Sequence, residues 1–213
     1  MPLPVFWSFR RCPYAMRARL ALCVAEQQVE LREILLRDKP QAFRAASPSA
    51  TVPCLETGDE VIDESLDIMR WALAQNDPQG WLDMPEEGEA LIQLCDGPFK
   101  TALDRYKYAT RFPDHDPITE RAMASAFLQD LEARLTESEA LFGRTRTLAD
   151  MAILPFVRQF AHVDLVWFQS QPWPNVISWL EGFKASELFG KAMHKFPVWD
   201  MQADPVAFPS IET

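Results

Sequence analysis

Cys12 directly precedes a proline in the stretch FRRCPYAMRARLAL (residues 9–22) and has the neighbours that favour a reactive thiolate. Pro13 suits the first position of a helix, so the pattern predicts Cys12 at a helix N-terminus. There the unpaired N–H groups and the helix dipole favour thiolate over thiol, as would Arg10 or Arg11 if either reaches the sulfur. We therefore expect a nucleophile whose pKa lies below the ordinary value of about 8.5. The alternative is a small buried hydrophobic residue.

The residue three positions after Cys12 is Ala15, where a dithiol oxidoreductase would carry its second cysteine. A single thiolate cannot resolve its own mixed disulfide within the chain, so it needs a second thiol from solution. Glutathione is the abundant thiol of a reducing cell. The pattern therefore predicts monothiol exchange with glutathione as the reductant.

Charge and composition exclude several classes of function. The net charge of −10 argues against a general nucleic-acid binder. The first forty residues nevertheless hold seven basic side chains against four acidic ones, so a small anion would be drawn to this part of the chain. No apolar run approaches the roughly 20 residues of a membrane span, and no secretory signal is recognisable at the N-terminus.

The four cysteines are far apart in the sequence and form no CxxC pair. This spacing favours a reducing, cytoplasmic location over a disulfide-stabilised secreted protein. The three histidines show no spacing typical of metal ligands, so we predict no metal site.

The first 76 residues predict a small α/β domain with the order β-α-β-loop-β-β-α. The predicted strands are Leu3–Ser8, Val29–Leu36, Val52–Leu55 and Glu60–Ile62. One helix follows Cys12, and a second is expected over Leu66–Ala74 with Ser65 as its N-cap. Residues 77–88 are rich in proline, glycine and acidic residues, which indicates a linker.

Residues 89–213 predict an all-helical second domain. The segment LADMAILPFVRQF (residues 148–160) is too apolar for a surface helix and is expected to form the core of that domain. Thr147 and Asp150 approximate a capping box at its start.

Three stretches together carry a family resemblance. SFRRCPYAMRARLAL (residues 8–22), TVPCLETGDEVIDESLDIMRWAL (residues 51–73) and TLADMAILPFVRQF (residues 147–160) are similar to cytosolic glutathione S-transferases. Within that family the closest similarity is to the cysteine-type, omega-like enzymes and to glutaredoxin-like proteins that share the two-domain fold. The resemblance covers nearly the whole chain. It implies a thioredoxin-like N-terminal domain followed by an all-α C-terminal domain, and a homodimer.

The resemblance also implies roles for particular residues. Cys12 would face the glutathione sulfur, and the backbone of Val52, before a cis proline at Pro53, would pair with glutathione as an added strand does. Glu64 and Ser65 would hold the γ-glutamyl amine and carboxylate. Tyr14 and Lys39 complete the predicted glutathione site, with Lys39 at the glycine carboxylate. Without the resemblance, Ser65 could be only a cap, Glu64 a first-turn charge and Lys39 a loop lysine.

The pocket for the second substrate is expected between the two domains, walled by helices of the second. Aromatic side chains and one arginine are candidates to line it: Tyr106, Tyr108, Arg111, Phe112 and Trp167. Aromatics at helical spacing are also typical of a core, so a structural role is the alternative for each. Cys54 follows Pro53 directly, and strand alternation predicts that this second thiol is buried and structural.

The main hypothesis is a glutathione-dependent thiol transferase that acts through Cys12 on a disulfide or a glutathionylated small molecule. An alternative is conjugation of glutathione to electrophiles, a task better suited to Ser or Tyr than to Cys. A third possibility is a non-enzymatic protein on the same fold. It would resemble the stringent starvation proteins, which bind RNA polymerase but typically lack the Cys-Pro motif.

Overall fold

The computed structural model describes residues 2–210 of the chain. Two compact units are present. The first comprises Met1–Leu82 together with Ser186–Thr213, and the second comprises Asp83–Ala185. Within the described residues, no helix is both long and apolar enough to cross a membrane.

The first unit is built on a five-stranded mixed sheet. Its strands are β1 (Val5–Ser8), β2 (Val29–Glu33), β3 (Cys54–Glu56), β4 (Val61–Ile62) and β5 (Val206–Phe208). They lie in the order β4-β3-β1-β2-β5. β1 and β2 run parallel, and the other three pairings are antiparallel. The central strand β1 is almost wholly buried, which explains its continuous apolar sequence.

The helices of the first unit are α1 (Pro13–Val24), α2 (Gln41–Ala46), α3 (Ser65–Gln75) and α10 (Glu187–Ala192). α1 packs against both α3 and α10. The strand and helix order up to residue 75 is the one predicted, and the short α2 occupies the predicted loop. This is the thioredoxin-like arrangement expected from the sequence.

Arg17 and Arg19 are charged residues in the packed helix α1. Both side chains are buried, with 2% and 0% of their surface exposed. A buried guanidinium must be paired or hydrogen-bonded to be tolerated. Arg19 donates to the Ser8 hydroxyl, the Ala192 carbonyl and the Glu33 carboxylate, the last at 2.6 Å. A helix that is buried on nearly every side leaves these arginines no route to solvent.

The second unit is helical, as predicted. It contains α4 (Glu86–Leu94), α5 (Lys100–Lys107), α6 (Pro117–Glu137), α7 (Leu148–Ala161), α8 (Leu165–Gln169) and α9 (Pro174–Lys184). One π-helical turn, Cys95–Phe99, joins α4 to α5. α7 forms the core of the second unit, and nearly all of its residues are buried.

Asp150 is the structural residue that its position predicts. Its carboxylate accepts hydrogen bonds from the backbone N–H and hydroxyl of Thr147, which closes the capping box at the start of α7. It also accepts from the Leu141 N–H and from the indole of Trp179. Burial raises the pKa of this carboxyl group, and the hydrogen bonds oppose that shift.

The end of the chain differs from the prediction of an all-helical region over residues 89–213. Residues 206–208 form strand β5, which pairs with β2 at the edge of the sheet. Ser186–Thr213 therefore belongs to the first unit, and the second begins at Asp83 instead of after residue 88. A three-residue strand is too short to show a period-two pattern, and its partner β2 lies more than 170 positions earlier.

Candidate functional site

Cys12 occupies the N-cap position of α1, with Pro13 as the first helical residue. Its backbone N–H donates to the Phe9 carbonyl at 2.9 Å, and its own carbonyl accepts from the Met16 N–H. The sulfur is therefore held at the positive end of a twelve-residue helix. Its side chain is half-buried, so the thiol can be reached from solvent. Ala15 is fully buried, with no thiol at the resolving position.

The peptide bond between Val52 and Pro53 is cis, as the family resemblance implied. The Cys12 Sγ lies 3.7 Å from the Val52 carbonyl oxygen. Cys54 follows immediately, at the start of β3, and is completely buried. Burial, reinforced by the nearby Asp63 carboxylate, raises the pKa of the Cys54 thiol to about 12. The predicted structural role of Cys54 agrees with this environment.

The beginning of α3 places Ser65 differently from the prediction. Ser65 is the first helical residue, and Glu64 is the N-cap, without a side-chain capping bond. The Ser65 hydroxyl, which is buried, accepts a hydrogen bond of 2.9 Å from Nε of Arg17. The Glu64 side chain is exposed beside it. A helix N-terminus carrying a hydroxyl and backed by a guanidinium suits an anion such as a carboxylate.

Sequence reasoning overlooked Arg17 as a member of this site. The available signal was its position inside a helix that is apolar on nearly every side, because an arginine there requires a partner. The same side chain also lies over the ring of Tyr14, with Cζ 5.2 Å from the ring centroid. Tyr14 is half-buried. Arg17 thus contacts two of the predicted glutathione-site residues, Tyr14 and Ser65.

Asp63 is a second residue that sequence reasoning missed. Its carboxylate accepts hydrogen bonds from the Ser47 hydroxyl at 2.8 Å and from the Ser49 N–H at 2.9 Å. Burial raises the pKa of this carboxyl group, but the hydrogen bonds from Ser49 and Ser47 outweigh burial and lower it. Asp63 thereby connects the loop before Val52 to the start of α3.

Lys39 contacts the loop that precedes Val52. Its Nζ donates to the Ala50 carbonyl at 2.8 Å, and its side chain is half-buried. Ala50 itself has a positive φ of 52°, an uncommon backbone conformation for a residue other than glycine. The first unit thus brings Cys12, Val52 and Lys39 to the loops around residues 50–52, and Ser65 to the adjoining helix start.

The predicted second-substrate residues lie in the second unit. Tyr106 and Trp167 come together around Phe160, with ring centroids at 5.7 and 6.0 Å from that ring. The Arg121 guanidinium lies 4.0 Å from the Trp167 ring centroid. Each of these two predicted aromatics thus has a packing role.

The remaining second-substrate candidates group separately. Arg111 lies 4.6 Å from the ring centroid of Tyr108, and Phe112 packs edge-on against His115. Arg111 is exposed, and the two aromatic side chains are half-buried. Across residues 2–210, no group of three or more His, Cys, Asp or Glu side chains could hold a metal ion.

Comparison with known proteins points to one family. The model for the glutathione S-transferase N-terminal domain matches residues 6–81. The chain is 26% identical over 183 residues to glutathione S-transferase L1 of Arabidopsis thaliana, covering 80% of this chain and 73% of that protein. It is 31% identical over 171 residues to protein IN2-1 of Zea mays, covering 74% and 68%.

A solved structure gives the same result over both units. A bacterial maleyl pyruvate isomerase, described as a zeta-class glutathione S-transferase, matches with a TM-score of 0.70 and 25% identity. The match covers 88% of this chain and 95% of that one. Together with the mixed sheet, the helical second unit and the cis Val52–Pro53 bond, these matches show that the chain belongs to the glutathione S-transferase family.

Proposed function

We propose that this protein is a glutathione-dependent thiol transferase that acts through Cys12. The observation that carries the proposal is the position of the Cys12 sulfur at the N-terminus of α1, next to Val52 of the predicted glutathione site. A helix N-terminus stabilises a thiolate, which is the attacking form in disulfide exchange. Glutathione as the co-substrate is supported by the family and by the relatives that bear its name.

The reaction requires two exchanges. In the first, the Cys12 thiolate attacks the glutathione sulfur of a mixed disulfide between glutathione and a small molecule. A disulfide forms between Cys12 and glutathione, and the small molecule leaves as a thiolate that takes a proton from water. In the second, the thiolate of another glutathione attacks the same glutathione sulfur. Oxidised glutathione is released and the Cys12 thiolate is restored, so one disulfide is consumed and one is formed.

The cysteine environments support a single reactive thiol. Ala15 removes the nearest resolving position. Burial raises the pKa of the Cys23 thiol to about 12, and the pKa of Cys54 is raised to about 12 as well. Thiols of such high pKa are almost entirely protonated at neutral pH and are poor nucleophiles. The second glutathione is therefore proposed to come from solution.

In the proposed complex, glutathione lies against the loop and helix start described above. The cysteinyl backbone pairs with Val52, beside Pro53. The γ-glutamyl carboxylate binds at Ser65 and the amine at Glu64, whose carboxylate is exposed. Lys39 binds the glycine carboxylate, and Tyr14 borders the site.

Several other expectations remain part of the proposal. The family's homodimer, the cytoplasmic location and the second-substrate roles of Tyr106, Trp167 and the other aromatic candidates are predictions. They follow from the resemblance and from cysteine usage. Size-exclusion chromatography with light scattering would test the homodimer by its mass.

The direct test compares wild type, Cys12→Ala and Cys23→Ala in glutathione-dependent disulfide reduction. Cys23 lies on the same helix as Cys12, so Cys23→Ala is the control that removes a thiol without removing the proposed nucleophile. We expect Cys12→Ala to lose activity at least about a hundredfold, because the nucleophile is removed, and Cys23→Ala to keep the wild-type rate. Equal rates for wild type and Cys12→Ala would refute the proposal.

Two further measurements separate the alternatives. Cys12→Ser should abolish thiol transfer, and a gain in conjugation of glutathione to a model electrophile in this variant would favour a conjugating transferase. Failure of the wild type to bind immobilised glutathione at millimolar concentration would favour a non-enzymatic interaction protein of the same fold.

A further inference from the structure

A cavity of about 290 Å³ lies within the first unit, next to the loop that leads into Cys12. The loop Phe9–Arg11 forms one wall, and Glu33–Leu35 at the end of β2 forms another. The third wall is the C-terminal segment, through Lys195, Phe196 and Val198. None of the predicted site residues lines this cavity.

Three hydrogen bonds fix the third wall. The Arg10 guanidinium donates to the Met193 carbonyl at 3.2 Å, and Arg19 donates to the Ala192 carbonyl at 3.1 Å. The Trp199 N–H donates to the Glu33 carbonyl at 2.7 Å. Residues 193–199 are therefore held at both ends against β2 and α1, and Lys195 stands on a positioned segment.

The polar lining of the cavity is mainly cationic. Arg10, Arg11 and Lys195 contribute three positive charges, and Glu33 is the one acidic residue among the described lining residues. The Glu33 carboxylate is only 8% exposed and is already neutralised by Arg19, with a second hydrogen bond from the Arg10 N–H. Its negative charge is thus compensated.

Arg11 and Lys195 differ from Arg10 in being exposed and uncompensated. The Arg11 guanidinium lies 5.2 Å from the ring centroid of Phe9, and that ring keeps the charge at the cavity wall. In the part of the chain that the structure describes, neither Arg11 nor Lys195 forms an ion pair with a carboxylate. Two cations without counter-charges, above an apolar floor that includes Phe196, favour an anionic ligand with a short apolar stem.

The cavity is next to the proposed nucleophile. Arg11 directly precedes Cys12, and the Cys12 N–H donates to the Phe9 carbonyl at 2.9 Å. Phe9 and Cys12 both pack on the cluster formed by Trp7, Ile34 and Val52. The Phe9–Arg11 wall of the cavity therefore leads directly into the residue that carries the proposed nucleophile.

We propose that the cavity receives the terminal group of the non-glutathione half of the disulfide substrate and that Arg11 and Lys195 select substrates in which this group is a carboxylate. The proposal rests on the thiol-transferase function. The chemistry is the exchange already described: the Cys12–glutathione disulfide forms, and the anionic half leaves as a thiolate that takes a proton from water. Positive charge at the cavity also stabilises this leaving thiolate.

A matched series of mixed disulfides tests the selection. Glutathione is joined to 3-mercaptopropionate, 2-mercaptoethanol or cysteamine, so that the terminal group is a carboxylate, a hydroxyl or an ammonium. Because this group also changes the pKa of the leaving thiol, each kcat/KM is divided by the rate constant of the uncatalysed exchange of the same disulfide with glutathione. In wild type we expect kcat/KM to fall in that order, by about tenfold from carboxylate to ammonium at low salt. In the double variant Arg11→Gln/Lys195→Gln, the difference in kcat/KM between the carboxylate and ammonium substrates should shrink to about twofold. Arg144→Gln, an exposed arginine of the second unit, should keep the full range.

The outcomes separate this inference from the proposed function. Turnover of all three disulfides at equal kcat/KM in wild type would overturn the inference and leave the thiol transferase intact. An unchanged order in the double variant would also overturn it. No turnover of any disulfide would refute the proposed function, and with it the assignment of the cavity to a substrate.

A second readout does not depend on turnover. Iodoacetate and iodoacetamide differ in charge but alkylate the same sulfur, and peptide mass spectrometry isolates the reaction at Cys12. The rate ratio of iodoacetate to iodoacetamide, normalised to free glutathione, should be at least about threefold higher in wild type than in the double variant. An equal ratio in both proteins would show that Arg11 and Lys195 do not attract anions to Cys12, and would overturn the inference.

Discussion

Nε of Arg17 donates a 2.9 Å hydrogen bond to the hydroxyl of Ser65, joining the helix that begins after Cys12 to the helix that begins after Glu64. Both partners are buried. The Ser65 oxygen accepts from Arg17, so its own hydrogen is available to donate elsewhere. In the proposed complex that acceptor is the γ-glutamyl carboxylate of glutathione.

Arg17 is therefore predicted to be a positioning residue for glutathione. Arg17→Met should raise the KM for glutathione by about threefold to tenfold, because a hydrogen bond worth about 1 kcal/mol no longer orients Ser65. The kcat should change less. Steady-state kinetics with varied glutathione measures both.

The control for Arg17 is a double-mutant cycle with Ser65→Ala. If Arg17 acts through Ser65, the double variant should bind glutathione no more weakly than Ser65→Ala alone. Additive losses would contradict a positioning role. Urea unfolding of each variant accounts for any loss of stability.

The environments of Cys12, Cys23 and Cys54 predict selective labelling. At pH 8, a thiol whose pKa is raised to about 12, as for Cys23 and Cys54, is almost wholly protonated. Only about one molecule in ten thousand then carries the thiolate. Brief treatment with iodoacetamide should therefore modify Cys12 first, the partly exposed but protonated Cys23 much more slowly, and the fully buried Cys54 only after unfolding. If peptide mass spectrometry showed that Cys23 is alkylated at a rate similar to that of Cys12, this prediction would be wrong.

Asp63 predicts a pH-dependent contribution to stability. Its pKa is lowered in the folded state, so its ionised form stabilises the fold above the unfolded pKa of about 3.9. This contribution is lost as the pH falls through the folded pKa. The difference in unfolding free energy between wild type and Asp63→Asn should be largest near pH 7 and should shrink below about pH 4. Urea unfolding at pH 7 and pH 3 measures it, and a difference that grows toward pH 3 would contradict this role.

The buried pair of Arg19 and Glu33 predicts a large loss of stability when one partner is removed. Glu33→Gln leaves the buried Arg19 charge uncompensated and should cost about 3 to 5 kcal/mol. Glu30→Gln, which breaks the half-exposed pair with Arg32 and leaves the contacts of Arg32 with Trp7 and Trp199 in place, should cost no more than about 1 kcal/mol. Equal destabilisation of the two variants would show that burial does not determine how much each ion pair contributes to the unfolding free energy.

Local patterns predicted much of the first unit. The Cys-Pro sequence placed the start of α1. The start of α3 was displaced by one residue, because Ser65 has a partner, Arg17, that lies 48 positions earlier in the sequence. A capping preference is local, whereas this hydrogen bond depends on how α1 and α3 pack.

The C-terminal segment could not be predicted in the same way. Its strand β5 is short. The residues before β5 are held by Arg10, Arg19 and Glu33, which lie 166 to 183 positions earlier in the sequence. The cationic cavity beside Cys12 depends on this C-terminal segment, because the segment forms one of its walls. The excess of basic residues in the first forty positions indicated an anion, but the sequence alone did not locate it at this cavity.

The most direct test of thiol transfer through Cys12 is whether a mixed disulfide forms between Cys12 and glutathione. Wild-type protein is incubated with oxidised glutathione, and its mass is measured before and after addition of reduced glutathione. We expect one glutathionyl group per chain, located on Cys12 by peptide mapping and removed by reduced glutathione. Cys12→Ser should acquire none. An adduct on another cysteine, no adduct at all, or an adduct that reduced glutathione cannot remove would contradict a thiol transferase that acts through Cys12.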